Sequence, residues 1–331
     1  MTTASGVSVS PGDVAAVTPR WTRLGGEMLA VVFIAIIAAV ANTTGAFYVL
    51  FPELGALSHD VFTRPRGAWA SAPVLLALTP SLTGVIGILC ARALPYGYAS
   101  VIITVVGSIA VILALKSPIA PAISAGLLPL VLGIKSWWYP PGILLGTVAL
   151  PLISVVWKRA MPDNEAYRPT AADLLDDAVE LVPGGYWWLV ALMGFVGIAI
   201  FFVKLTGLRF ILFPPLVVIG FEMFGHTAVC PWARRPLWLP VACFFTALGG
   251  LLLRNWLGVE PATAALSMAW GIIILRGFDL HVPPALAVAL LPLVMDSPTI
   301  AYPLSVGAGT LLMTLWFLAY QRAAAFVAAR L

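Results

Sequence analysis

Two short stretches of this chain set ionisable residues among glycines and prolines in otherwise apolar surroundings. In Gly220-Phe221-Glu222-Met223-Phe224-Gly225-His226, an acid and an imidazole stand four residues apart, which puts them on one face of a helix. A carboxylate so placed can hold the imidazole protonated, or the two can relay a proton. At an offset of 162 Glu222 corresponds to Asp60, so the carboxylate recurs. The bland alternative is an interface contact in which Asp60 and Glu222 pair with Arg64 or Arg234. The second stretch is Asp279-Leu280-His281-Val282-Pro283-Pro284, followed by apolar Ala285 to Met295. Proline suits the first turn of a helix, where its missing N–H costs nothing. A helix starting at Pro283 or Pro284 would hold about a dozen residues, roughly 18 Å at 1.5 Å each. Its N-terminus would present free N–H groups and a positive dipole end to whatever lies before it. The equivalent place upstream is Lys116-Ser117-Pro118-Ile119-Ala120-Pro121, where Ser117 can cap and Lys116 adds charge. Here the bland alternative is a proline-punctuated tight loop. Pro129 and Pro292 fall inside these short helices and should kink them.

The elements that must position these residues are membrane elements. Of 331 residues 61% are hydrophobic and only 10% charged, with mean hydropathy +1.01. A soluble domain carries about 25% charged residues, so ordinary globular folds are excluded. Eighteen Lys and Arg against fourteen Asp and Glu leave +4, too small a surplus for a nucleic-acid partner. Cys90, Cys230 and Cys243 form no CxxC pair and read as small core residues. GxSxG, P-loop and HExxH motifs are absent, and with only His59, His226 and His281 a multi-histidine metal centre is not expected. No catalytic residue, cofactor or metal is assigned. An ionisable residue at membrane depth is a functional candidate because burying its charge is costly.

A span needs about 20 apolar residues to cross roughly 30 Å of hydrocarbon. Charge-free runs at 28–52, between Glu27 and Glu53, and at 67–91, 93–115, 136–157, 181–203 and 297–321 meet that length, and 237–253 and 261–275 are shorter candidates. Ala46 to Phe62, Pro118 to Ile134, Phe210 to Phe224 and Pro283 to Met295 are too short or too broken by proline. They read as half-helices, tolerated only where free backbone groups face protein or a water-filled cavity. Arg20 and Arg23 before an apolar run mimic a cleaved signal peptide, but a matching apolar segment at Trp187 to Phe202 lies mid-chain and argues against cleavage.

Self-comparison gives a tandem repeat. Pro121 and Pro284, Pro129-Leu130-Val131 and Pro292-Leu293-Val294, Gly87 and Gly250, and Gly146-Thr147 and Gly309-Thr310 all lie 163 residues apart. Leu50-Phe51-Pro52 matches Leu212-Phe213-Pro214 at 162, which requires one inserted residue. The resulting organisation is a disordered N-terminal tail over 1–25, a first membrane repeat over 26–160, a polar linker over 161–185, a second repeat over 186–323 and a C-terminal tail over 324–331. The fold class is all-α, a polytopic transmembrane helical bundle with about four full spans and two half-helices per repeat. A pseudo-two-fold axis should relate the repeats; segment lengths favour parallel copies over inverted ones. In the linker, Thr170 and Asp173 form a capping box, and Leu174, Leu175, Ala178, Val179 and Val182 line one side of an interfacial helix. Its acids are expected on the solvated face.

Near these motifs the second copy resembles the HPP family of integral membrane proteins. The resemblance is carried by Cys230-Pro231-Trp232-Ala233-Arg234-Arg235-Pro236, by His281-Val282-Pro283-Pro284, and by Gly307-Ala308-Gly309 with Arg322. It covers about 186–322. A valine interrupts the His-Pro-Pro motif, Arg-Arg-Pro stands where the family has Gln-Pro-Arg, and the first copy lacks the histidine. The resemblance implies a four-span membrane domain and a transporter, some plant members being linked to nitrite transport across the chloroplast envelope.

The expected function is an integral membrane transporter or channel for a small solute, the half-helix ends favouring an anion, in a multi-pass bacterial cell-membrane protein. Pathway candidates are Asp60, Glu222, His226, His281, Pro283, Pro284, Lys116, Ser117, Pro121 and Arg234. Expected partners are the lipid bilayer and a small molecule or ion, with homo-oligomerisation left open. One competing reading is a membrane-embedded enzyme acting on a lipid or isoprenoid, with Glu222 and His226 as acid and base. Another is a scaffold subunit whose glycines serve packing alone.

Overall fold

The computed structural model describes residues 20–160 and 171–328; of the tails expected over 1–25 and 324–331, residues 1–19 and 329–331 lie outside them, as does the cap at Thr170, while residues 20–25 and 324–328 are helical, continuing the neighbouring spans. The described residues are helical, without strands. The first half contains α1 (Arg20–Thr44), α2 (Leu54–Thr63), the single turn α3 (Ala68–Ser71), α4 (Pro73–Ala93), α5 (Tyr98–Leu115), α6 (Ala122–Leu132) and α7 (Tyr139–Ala160). The linker forms α8 (Ala171–Val179). The second half contains α9 (Trp187–Thr206), α10 (Pro214–Gly225), α11 (Trp238–Leu257), α12 (Pro261–Gly277), α13 (Pro284–Leu290) and α14 (Ala301–Ala328). Seven of these, α1, α4, α5, α7, α9, α11 and α14, are long and apolar enough to cross a membrane, and α12 falls one residue short of that length. The chain is an integral membrane protein, a polytopic helical bundle whose exposed leucines, valines and isoleucines face where lipid would lie.

Both halves follow one order: long helix, short helix, long, long, short, long. The short helices α2, α6, α10 and α13 are buried along almost their entire length, as half-helices in a membrane must be. Each completes a crossing begun by non-helical chain. Thr83, midway along α4, donates to the Ala122 carbonyl at 2.6 Å, so α6 starts beside the middle of a full span. Its backbone then runs against α4 because Gly87 leaves room, a Cβ there overlapping the Gly126 carbonyl. In the opposite sense α2 runs from Glu53, beside Ser124 of α6, to Phe62, whose carbonyl accepts from Trp157 Nε1 near the end of α7. Four full and two interrupted crossings return the chain to the side on which it began. Both halves therefore start on the α8 side and run parallel.

Contacts recur between the halves at the sequence offset. Tyr139 donates its hydroxyl to the Ala125 carbonyl at 2.8 Å, and Tyr302 to the Val288 carbonyl at 2.6 Å. Tyr48 lies edge-on to Tyr139, and Phe210 edge-on to Tyr302. A Cβ on Gly250 would overlap the Ala289 carbonyl as one on Gly87 overlaps that of Gly126, and Gly309 meets the Ile211 carbonyl as Gly146 meets that of Val49. Lys116 and Asp279, 163 apart, are the two non-glycine residues with positive φ among the described residues, at 49° and 51°. Each closes its helix with a 6→1 hydrogen bond, from Ser117 N to the Ile112 carbonyl and from Leu280 N to that of Leu275.

The halves meet along unequal seams. α1 lies antiparallel along α12, pinned at one end by Arg276 to Glu27 at 2.6 Å and at the other by Asn42 Nδ2 to the Val259 carbonyl at 2.7 Å. The equivalent pair, α9 and α5, touches sparingly; its ties are Lys204 over the Tyr98 ring at 4.6 Å and Arg209 over the Tyr96 ring at 5.3 Å, both at the end remote from α8.

Candidate functional site

On the α8 side, polar residues of both halves converge under the linker helix. Arg64, at the end of α2, is 6% exposed and is the organising cation. Its guanidinium lies 2.6 Å from Asp60, one turn back on α2, 2.9 Å from Asp177, and against the Glu180 carboxylate. It also donates to the Asp173 carbonyl at 3.3 Å, and Asp177 accepts from the Ala68 amide at 3.1 Å. A planar fork of donors can serve several carboxylates at once, which a lysine ammonium could not reproduce. These bonds fasten α8 to the first half.

The expectation that the linker acids are solvated is overturned for Asp176 and Glu180; Asp173 and Asp177 are half-buried, and Asp163 and Glu165 lie outside the described residues. Asp176 and Glu180 are 8% and 6% exposed, whereas Leu174 and Leu181 are 53% and 61% exposed. Their helix turns acids inward to Arg64 and leucines outward because, at a membrane surface, the polar partner lies within the protein. Burial raises Asp176 to about 7 despite the opposing Arg64, and carries Glu180 well above the ordinary carboxylate range.

From the second half come His281, ahead of α13, Glu222 of α10 and Trp232. His281 Nε2 lies 3.2 Å from Asp176 Oδ2, outside hydrogen-bond geometry. A small cavity is lined by Trp69, Asp176, Val179, Glu180, Glu222, Trp232, His281 and Pro283; its 10 Å³ admits about one water centre. Trp69 and Trp232, 163 apart, flank it from the two halves. Trp69 Nε1 donates to the Pro118 carbonyl at 2.9 Å, while Trp232 Nε1 is buried without a partner among the described residues. Beside this site a second cluster joins Glu27 to Arg276, to His59 Nε2 at 3.8 Å and to Arg23 at 3.8 Å.

Of the ten residues selected from sequence, the structure gathers Asp60, Glu222, His281 and Pro283 around this site. The Glu222–His226 pair does not form. His226 follows the last turn of α10 and its Nε2 meets the Leu181 carbonyl at 2.9 Å. Glu222 is 2% exposed and has no ion pair within 4 Å among the described residues. Nor does Arg234 reach a carboxylate there; its side chain is exposed, as is that of Lys116. Ser117 lies inside, its hydroxyl 2.9 Å from that of Thr79 and accepting from the Ile119 amide at 3.2 Å. Pro121 precedes α6, and Pro284 opens α13, both buried.

The interface contact weighed for Asp60 with Arg64 is present at 2.6 Å, but sequence reasoning missed the hold of Arg64 on α8, the inward acids of α8 and the tryptophan pair. It also missed Glu53, which is 1% exposed at the start of α2 and accepts from the Ser124 hydroxyl. The offset held the signals: Trp69 pairs with Trp232, and Arg64 with His226 at 162. Comparison with family models, curated proteins and solved structures finds no match.

Proposed function

We propose that the chain is a membrane transporter or channel for a small anionic solute, built from two tandem copies and related to the HPP family, in a bacterial cell membrane. The observation that carries this reading is the set of four interrupted crossings. Each begins its helix inside the bundle, so positive dipole ends lie at depth, as at transporter sites for anions; the first-turn N–H groups themselves are mostly bonded to the preceding turn, as Ala122 to Ile119 and Ala285 to Val282, or replaced by prolines, as at the start of α10. A packing scaffold has no need of four helix starts whose dipole ends are buried away from water. The enzymatic alternative is weakened by the separation of Glu222 from His226, since His226 spends its ring nitrogen on the Leu181 carbonyl. In this reading α8 is the cover on one mouth, fastened by Arg64.

The test is flux into reconstituted vesicles of nitrite, nitrate, formate and chloride, with urea as the uncharged control and aromatic acids as the oversized one. Anion flux well above protein-free vesicles, with urea excluded, supports the reading. Equal permeability to urea and anions, or none to either, removes it.

A further inference from the structure

Among the described residues Glu222, like Asp176, has no Lys or Arg within ion-pair distance, and unlike Asp176 it has no imidazole beside it either. Its counterpart in the first half, Asp60, has Arg64 at 2.6 Å one turn along the same helix. The position equivalent to Arg64 is His226, turned away to the Leu181 carbonyl. The groups facing Glu222 can be named element by element. From α2 come Asp60 and Arg64; from α8, Asp176 and Glu180; from the turn before α11, Cys230; from the loop before α13, His281. Four carboxyls thus share one guanidinium in a buried space. Among the described residues no three ligands are placed to hold a metal ion. What remains to neutralise an interior carboxylate is a proton.

Four polar atoms at this cavity have no hydrogen-bond partner among the described residues: Glu222 Oε2, Glu180 Oε2, Trp232 Nε1 and His281 Nε2. The space between them has room for about one water centre, and a buried water typically makes about three hydrogen bonds. Trp232 can only donate, an ionised carboxylate can only accept, and a protonated one can do either.

We propose that Glu222 is a proton-binding site, loaded from the α8 side through a single buried water between Glu222, Glu180, Trp232 and His281. This rests on the transport reading, to which it adds the coupling ion. In the release step, of which loading is the reverse, the Glu222 O–H bond breaks and its proton passes to the water. The water hands one of its own protons to the Asp176 carboxylate or to His281 Nε2, both of which reach the edge of the site. Nothing is oxidised or reduced. Because burial puts Asp176 at about 7, it accepts and releases protons near neutrality.

The experiment is a pH titration of the full chain in lipid by infrared difference spectroscopy, following the carbonyl stretch of protonated carboxyls. It compares wild type with Glu222→Gln, Glu53→Gln and Trp232→Phe. The expected result is a band that disappears reversibly as pH rises, is absent in Glu222→Gln and persists in Glu53→Gln. In Trp232→Phe the band should remain with an altered titration midpoint, because the water loses a donor. That variant also keeps the idea testable where Glu222→Gln fails to fold. A wild-type titration unchanged by Glu222→Gln, or by Trp232→Phe when Glu222→Gln does not fold, overturns the proposal. The readout does not depend on flux, so the two ideas fail separately. Titration of Glu222 without anion flux removes transport alone, and anion flux with a silent Glu222 removes proton loading alone.

Discussion

Replacing Arg64 by methionine keeps the length of the side chain and removes its charge. In the folded protein that guanidinium serves Asp60, Asp177 and Glu180, with Arg64 and Glu180 both buried. Removing one member of a buried ion pair costs about 3–5 kcal/mol, because the partner stays buried and uncompensated. Part of this cost falls on Asp60, which shares α2 with Arg64 and is stranded whether α8 is docked or free. Asp177 and Glu180, by contrast, lose their reason to stay. The docking of α8 should therefore weaken by about 3 kcal/mol, the low end of the range, or roughly a hundredfold in the docked-to-free ratio. Val179→Cys reports on it, since Val179 is 1% exposed and the native Cys90, Cys230 and Cys243 are all buried. Maleimide labelling of Val179→Cys in vesicles should be roughly a hundred times faster with Arg64→Met than with Arg64 present. Arg64→Lys should fall between, as one ammonium cannot fork across three carboxylates. Lowering the pH should close the gap, because protonated carboxyls no longer need the cation. Labelling within about threefold of the parent would show that Arg64 does not hold α8, and the cover would have to be explained by its leucines.

The same reporter reads the pH dependence of the intact cluster. Asp176, with its ordinary value near 4 raised to about 7, binds more protons docked than free, so docking is strongest below about pH 4 and weakens as pH rises through 7. Labelling of Val179→Cys relative to the exposed control Leu181→Cys should accordingly rise between pH 5 and pH 8; a flat or falling ratio contradicts this. A second expectation concerns the packing shared by the halves. Gly87→Val and Gly250→Val should each cost about 3 kcal/mol or more, since each places side-chain atoms on a neighbouring carbonyl, whereas Gly197→Ala meets nothing within 4 Å and should be neutral. Unfolding midpoints in detergent decide it, and a tolerated Gly250→Val would refute the close approach of α13 to α11.

Much of this architecture is legible in the sequence because lipid leaves few options. A crossing needs a fixed length of apolar chain, and prolines that interrupt it show where crossings break. Pro118 to Ile134 and Pro283 to Met295 read as half-helices for that reason, and α6 and α13 lie within them. Less legible is what a face looks at. Leucines and acids alternate along α8 with helical period, but periodicity gives two faces without saying which meets protein. In water the apolar face turns in; here the buried Arg64 turns the acids in and leaves the leucines outside. Similarly, the spacing of Glu222 and His226 permits an i,i+4 pair. His226 ends its helix, however, and is free to seek the carbonyl of Leu181 instead.

The unequal seams between the halves have a mechanical consequence. Along α1 and α12 the bundle is stitched at both ends, like a book along its spine. Along α5 and α9 the named ties, Lys204 to Tyr98 and Arg209 to Tyr96, lie at the foot of the page only. A rigid pair of covers so bound opens most at the corner diagonal to both constraints, where α9 begins and α5 ends. That corner belongs to the α8 face, so any swing of the halves would have to slide the central packing of α6 on α10 and α2 on α13 and would part them first beneath the linker helix.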